Sequence, residues 1–173
     1  GDGKQVFLTG SGRDVVYGGG GNDVYYGSAG DDIYGDDMDS SGDRLIYSYI
    51  DQAYDVPVYI DGNLELGTVK VMTAEGDVIL KTDTVSGVSR LYGSSGDDRL
   101  VGSDEVRSVL SGGRGEDLIV FGAAGGVYAH HDSSMANTSG MWAGIYGDVA
   151  HRQGLDLIVV EGTVVDWGSY AQY

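Results

Sequence analysis

The sequence predicts an all-β chain wound as a solenoid, and three observations predict it. A nine-residue period runs from Thr9 to Gly35 as TGSGRDVVY, GGGGNDVYY, GSAGDDIYG, placing aspartate at Asp14, Asp23 and Asp32. The 31 glycines include fixed positions ahead of these aspartates, and Pro57 is the one proline, whereas glycine-rich disordered or collagen-like chains carry more. Each aspartate is followed by an apolar or aromatic pair (Val15-Val16, Val24-Tyr25, Ile33-Tyr34), which suits a short strand with one side chain turned inward. A lone repeat cannot bury that side chain; a stack can, so such units come as arrays.

The turns between these strands have a chemistry of their own. Their pattern is G-G-x-G-x-D-x-U-x, with U a large apolar residue, the signature of a calcium-binding parallel β-helix repeat. Glycine takes φ > 0 without a Cβ clash, so a glycine-packed turn can aim carbonyl oxygens inward. Calcium takes six to eight oxygens from carboxylates and carbonyls in a flexible geometry, and a glycine turn ending in aspartate offers both kinds. A lone repeat of this kind reads as well as a turn former only; three in phase point to metal.

Net charge is −17, from 27 acidic and 10 basic residues, which excludes nucleic acid as the expected partner. Two carboxylates ~4 Å apart repel by roughly 4 kcal/mol at an effective dielectric of 20. Without a cation the array is therefore expected to expand and largely unfold. At 173 residues one domain suffices. There is no cysteine, so neither disulfides nor thiolate metal sites are available, and calcium is the staple left. No stretch is long and apolar enough for a membrane span. The opening GDGKQVFL has no signal-peptide pattern and is already in phase with the repeats, so a monomeric module within a longer chain is expected.

Over residues 1–47 and 83–122 the chain resembles the calcium-binding nonapeptide arrays of the repeats-in-toxin (RTX) family, proteins secreted by Gram-negative and related bacteria. The resemblance implies a right-handed parallel β-roll, two repeats per coil, with several calcium ions in the turns. It also implies an extracellular or cell-surface location, export through a one-step (type I) secretion channel, and a parent protein such as a toxin or adhesin.

Taken in order, GDGKQVFL is an incomplete repeat with Gln5 in the aspartate slot, and three full repeats follow. GDDMDSSGDRLIY is a lengthened repeat ending in Asp43, Leu45 and Ile46, with an acidic bulge at Asp36, Asp37 and Asp39. Residues 48–82 leave the nonapeptide for period-two β patterning at Val56, Val58 and Ile60, a turn signal at Asp61-Gly62 or Gly62-Asn63, then Leu64, Leu66, Val69 and Val71. Glu75-Gly76-Asp77 reads as a second turn, and Val78 and Leu80 as the next apolar positions. This insert leads into Asp83-Thr84-Val85-Ser86-Gly87-Val88, similar to the motif that closes inserts in the RTX family. The second block, 83–122, carries Asp98 and Asp117 in the aspartate slot and Ser108 where a third would stand. Residues 123–173 are expected to be degenerate capping coils of the same solenoid, with Leu157–Val160 as a buried strand preceded by Asp156.

The resemblance implies ligand sets. One site takes Gly10, Gly12 and Asp14 with Gly27, Ala29 and Asp32. On the other edge, Gly1, Gly3 and Gln5 face Gly18, Gly20 and Asp23, a weaker site because Gln5 is neutral. The next uses Gly19, Gly21 and Asp23 with Gly35, Asp37 and Asp43, so that Asp23 bridges two ions. In the second block Ser94, Gly96 and Asp98 face Gly112, Arg114 and Asp117, with Ser94 and Arg114 acting through their carbonyls.

Three function classes follow. The first is a calcium-dependent structural or secretion-coupled module of a larger secreted protein or adhesin. The second is a calcium-dependent carbohydrate-binding module with a polysaccharide or cell-surface partner, for which Tyr17, Tyr26, Trp142 and Trp167 are the aromatic platforms. Tyr25 and Tyr34 fall in the inward slot and belong to the core. The third, an enzyme, is not expected: His130, His131, Asp132 and His151 lack H-E-x-x-H, G-x-S-x-G or cysteine company.

Overall fold

The computed structural model describes residues 3–35 and 42–128 and the backbone of two further strands, 157–160 and 163–166. It is all-β apart from one short 3-10 turn, Ile50–Ala53. The repeats yield strands of three residues: β1 (Val6–Leu8), β2 (Val15–Tyr17), β3 (Val24–Tyr26), β4 (Ile33–Gly35) and β5 (Arg44–Ile46). Longer strands follow in the insert: β6 (Val58–Asn63), β7 (Thr68–Thr73) and β8 (Ile79–Ser86). Then come β9 (Arg90–Tyr92), β10 (Arg99–Val101), β11 (Ser108–Ser111), β12 (Leu118–Phe121), β13 (Gly126–Tyr128), β14 (Leu157–Val160) and β15 (Thr163–Asp166).

Outside the insert, successive strands up to β14 alternate between two sheets. One sheet has the order β1-β3-β5-β9-β11-β13; the other has β15-β14-β12-β10-β6-β7-β8-β4-β2. Each short strand pairs in parallel with a strand of a neighbouring coil, as Phe7 with Tyr25 and Tyr25 with Leu45. No three-residue strand could persist alone; each rests on its neighbours along the stack.

The insert enters the second sheet only. β8 pairs in parallel with β4, β7 runs antiparallel between β8 and β6, and β6 pairs in parallel with β10. In the first sheet β5 meets β9 directly. The second sheet is thus wider by two strands at the seam between the repeat blocks, and buried Ile50 of the 3-10 turn joins the core there.

A single row of apolar side chains fills the space between the sheets. Tyr25, Tyr34, Leu45, Tyr47, Ile60, Leu91, Leu100, Leu110 and Ile119 are all fully buried. Phe7 stacks on Tyr25 with centroids 5.2 Å apart, and Tyr34 tilts against Tyr25 at 5.6 Å. Tyr25 and Tyr34 thus occupy the inward slot, while Tyr17, one residue past it, is 70% exposed.

Two local expectations in the insert are corrected. The Asp61-Gly62-Asn63 turn signal lies inside β6, and the chain turns at 64–67 instead. Gly62 is there because it faces inward against Leu91: a Cβ would stand 2.5 Å from Leu91 Cδ2. Val78 and Leu80 are exposed, and β8 turns Lys81, Asp83 and Val85 inward. The apolar alternation thus gives way to buried charge. The described part of the terminal coils shows β13 and β14 continuing the two sheets and β15 returning antiparallel to β14. Asp156 lies outside the described residues.

Candidate metal centres

The repeat aspartates form two ladders, one along each edge of the stack. On one edge the Gln5 backbone N–H donates to Asp23 Oδ1 at 2.7 Å, and the Asp23 N–H donates to Asp43 Oδ1 at 2.7 Å. On the other, Asp14 N–H donates to Asp32 Oδ1 at 2.9 Å, and Asp32 N–H to Asp83 Oδ1 at 2.8 Å. The second block repeats the step: Ile60 N–H to Asp98 Oδ1 at 2.6 Å, and Asp98 N–H to Asp117 Oδ1 at 2.9 Å. Each carboxylate therefore leans on the neighbouring rung. Asp23, Asp32, Asp43, Asp83, Asp98 and Asp117 are all buried.

The glycine turns stack in register because only glycine fits. Gly30 has φ +110°, and a Cβ on it would lie 2.2 Å from the Gly12 carbonyl oxygen below. At Gly112 the obstacle is the chain's own aspartate, since a Cβ there would meet Asp117 Oδ2 at 1.9 Å. The outer acids add a clip that the nonapeptide pattern does not predict. Asp31 accepts Thr82 N–H at 2.8 Å, Asp97 accepts Glu116 N–H at 2.9 Å, and Asp104 accepts Ala123 N–H at 2.7 Å. The doubled Asp31-Asp32 and Asp97-Asp98 are the sequence sign of this second contact.

The ligand sets expected from the sequence are brought together as follows. The turn with Gly10, Gly12 and Asp14 lies against the turn with Gly27, Ala29 and Asp32. Asp14 Oδ2 accepts Gly10 N–H at 3.1 Å, and Asp32 Oδ2 accepts Ser28 Oγ–H at 2.8 Å and Tyr34 O–H at 2.9 Å. Gly3 and Gln5 lie against Gly18–Gly21 and Asp23; Gln5 Nε2 donates to the Gly18 carbonyl at 3.2 Å, so an amide already serves that oxygen. Gly35 O accepts Gly18 N–H and Tyr25 O–H, both at 3.2 Å. Ser94 and Gly96 stack under Gly113 and Gly115, between Gly112 and Asp117, with Arg114 exposed. Gly1 and Asp37, with Asp36 and Asp39, lie outside the described residues, as do Trp142, Trp167, His130, His131, Asp132 and His151.

These residues fit a cation on one observation. Asp23 Oδ2 is buried with no hydrogen-bond partner, a costly state for a carboxylate oxygen unless something positive meets it. Among the described residues no three Asp, Glu, His or Cys side chains group closely enough to hold a metal on their own. Most oxygens would then come from turn carbonyls, a donor set suited to calcium and poor for zinc or other softer metals.

Burial also sets the acidity of these groups. It pushes Asp98 from 3.8 up to about 8, against the opposing pull of hydrogen bonds from Ser94 Oγ and from the Ile60 and Ser94 N–H groups; the Asp51 charge adds to the rise. Ser94 thus contributes through its side chain and N–H, at 2.7 and 2.6 Å from Asp98, which its assigned carbonyl role does not foresee. Ser108, standing where an aspartate is missing, is buried and accepts Ser103 N–H at 2.9 Å, closing its own turn as a neutral cap.

Asp83 is the ladder member that the nine-residue pattern misses. No glycine turn precedes it; β8 runs straight into it. Its neighbour in the strand's inward row is Lys81, whose side chain is 1% exposed and whose Nζ lies 2.9 Å from Asp83 Oδ2 and 3.6 Å from Asp32 Oδ2. Lys81 also donates to the Ser28 carbonyl, and the Tyr47 hydroxyl donates to Asp83 Oδ2. Burial pushes the Asp83 carboxyl up, while the Lys81 ammonium and the Tyr47 hydroxyl pull it down.

Among the described residues no helix is long and apolar enough to cross a membrane. No curated protein matches the chain. The family model of the RTX calcium-binding nonapeptide repeat, in four copies, matches residues 1–34 and 83–105. The ladder geometry continues past the second match to Asp117. In these two segments the chain is similar to the RTX calcium-binding nonapeptide repeat.

Proposed function

We propose that the chain is a calcium-dependent folding module of a larger secreted bacterial protein, a right-handed β-roll that stays unfolded for export and orders outside the cell. Calcium lies between rungs, held by Gly10, Gly12 and Asp14 with Gly27, Ala29 and Asp32, by Gly19, Gly21 and Asp23 with Asp43, and by Ser94, Gly96 and Asp98 with Gly112, Arg114 and Asp117. The Gln5 rung is the weakest, because its amide is neutral and already engages Gly18. The observation that carries this reading is buried Asp23, whose carboxylate accepts from the Gln5 rung, whose N–H donates to the Asp43 rung, and whose second carboxylate oxygen is left unmatched. Extracellular calcium modules work at Kd of about 10⁻⁴–10⁻³ M, which leaves such a module empty in a calcium-poor cytoplasm. Far-ultraviolet circular dichroism tests it: a β signal that grows with millimolar calcium, disappears with chelator and ignores magnesium is expected. A β signal indifferent to chelator would refute it.

A second reading, calcium-dependent glycan binding, is favoured by one feature. A cavity of about 540 Å³ opens beside the 3-10 turn, with Tyr26, Tyr49 and Tyr92 among its walls and Arg44, Arg114 and Asp51 as polar groups. Tyrosine faces and guanidinium forks suit a sugar ring bearing a carboxylate. Binding of uronate-containing oligosaccharides that is lost on Tyr92→Ala, with the calcium-induced fold retained, is the result this reading expects. No binding to acidic or neutral glycans in calcium would leave the folding module alone.

A further inference from the structure

We propose that the Lys81 ammonium is a tethered cation that takes the metal's place between the Asp32 and Asp83 rungs, so that this junction holds without a bound ion. The inference rests on the calcium reading above. Asp32 stands to Asp83 as Asp14 stands to Asp32, with the same N–H to Oδ1 contact at 2.8 and 2.9 Å. The space between the carboxylates of two such rungs is where an inter-rung ion belongs. In the Asp32–Asp83 case Lys81 Nζ fills it, meeting a carboxylate oxygen of each rung and the carbonyl of Ser28 from the turn below.

The local sequence explains why a lysine and not a metal serves here. Calcium needs six to eight oxygens, and a glycine turn on each rung supplies the carbonyls. The Asp83 rung has no such turn, because Ile79–Ser86 is strand and its backbone is committed to pairing with β7 and β4. Half of the carbonyl donors are therefore missing. An ammonium has three donors and no acceptor; it donates to Ser28 O, lies 2.9 Å from Asp83 Oδ2, and is ion-paired with Asp32 Oδ2 at 3.6 Å. Lysine is almost never fully buried unless it is paired, and the Tyr47 ring, 5.8 Å from Nζ, faces it as well. The junction lies where β8 closes the insert onto β4, so the lysine fastens the seam between the two repeat blocks whatever the calcium level.

Anomalous diffraction at a wavelength sensitive to calcium, from crystals of the whole chain grown in millimolar Ca²⁺, tests this. An ion between Asp14 and Asp32 and none between Asp32 and Asp83 is expected. Ions in both gaps would overturn the Lys81 assignment alone; ions in neither would overturn the calcium ligand sets and this inference with them. In solution, Lys81→Gln should gain no calcium per chain by equilibrium dialysis, because the turn carbonyls are still missing, and should lower the urea midpoint by the same amount at low and at high calcium, while Lys81→Arg stays close to the parent. A folded Lys81→Gln as stable as the parent, or one that takes up an extra calcium, counts against the inference, and if that variant does not fold, the diffraction result on the parent chain decides.

Discussion

The backbone N–H of Asp23 donates to the Asp43 carboxylate at 2.7 Å, one rung away and wholly buried. This contact stacks two acidic rungs in a place water does not reach. Hydrogen bonds fix their geometry but leave their repulsion in place, and in a slim solenoid there is little apolar area to offset it. A cation between the rungs, as proposed, would convert the same contact from a cost into an attraction, so the sign of each acid's contribution would depend on calcium.

Asp23→Asn should therefore act in opposite directions under two conditions. An amide oxygen can still accept the Gln5 N–H, so the rung contact persists. In calcium, the variant should lose roughly 3–5 kcal/mol, since in the proposed ligand sets Asp23 serves two ions and each adds about 2.7 kcal/mol at one hundred times Kd. In chelator, where the parent loses its β signal, the variant should keep as much of that signal or more. Urea unfolding in calcium and circular dichroism in chelator read this directly, and a variant weaker than the parent in both would contradict it.

Gly30→Ala and Gly76→Ala separate backbone strain from rung stacking. Both glycines have positive φ, +110° and +85°, but only Gly30 has a neighbour in the way, whereas nothing lies within 4 Å of a Cβ on Gly76. Gly76→Ala should cost about 1 kcal/mol, the strain of a left-handed alanine. Gly30→Ala must also push two turns apart and should cost about 3 kcal/mol or more. Comparable melting temperatures for the two variants in calcium would show that the turns are not in contact.

The metal-free chain should weaken as pH rises from about 4 to about 8. Asp98 titrates from 3.8 up to about 8 in the fold because of burial, so across this window the folded chain keeps a proton that the unfolded chain has lost. The slope from this group is about 1 kcal/mol per pH unit. Asp98→Asn should flatten it, and saturating calcium, which favours the charged carboxylate, should remove it. The β signal kept in chelator between pH 4.5 and 8 checks the sign; a signal that rises with pH equally in parent and variant would contradict it.

The residues that follow a period are legible in the sequence, and those set by tertiary context are not. Asp14, Asp23 and Asp32 can be read from the nine-residue spacing because each sits on its own glycine turn, and Tyr25 and Tyr34 from the slot two residues after an aspartate. Asp83 lies within a strand, so its place in the ladder exists only once β8 lies beside β4. The same strand explains Lys81: alternation alone points Leu80 inward, but Asp83 must face Asp32, and the two-residue period then carries Lys81 in with it. Gly62 reads as a turn because the sequence does not show Leu91 waiting opposite.

The most direct test of the account is the dependence of unfolding free energy on free calcium, measured by urea unfolding from chelated buffer to 10 mM Ca²⁺ at fixed ionic strength. Ions that bind only the folded stack should make stability rise with the logarithm of calcium, at a slope equal to several ions per chain. A flat line, with the chain folded equally well in chelator, would mean that the acidic rungs hold together by hydrogen bonds alone and that cations are not what builds this fold.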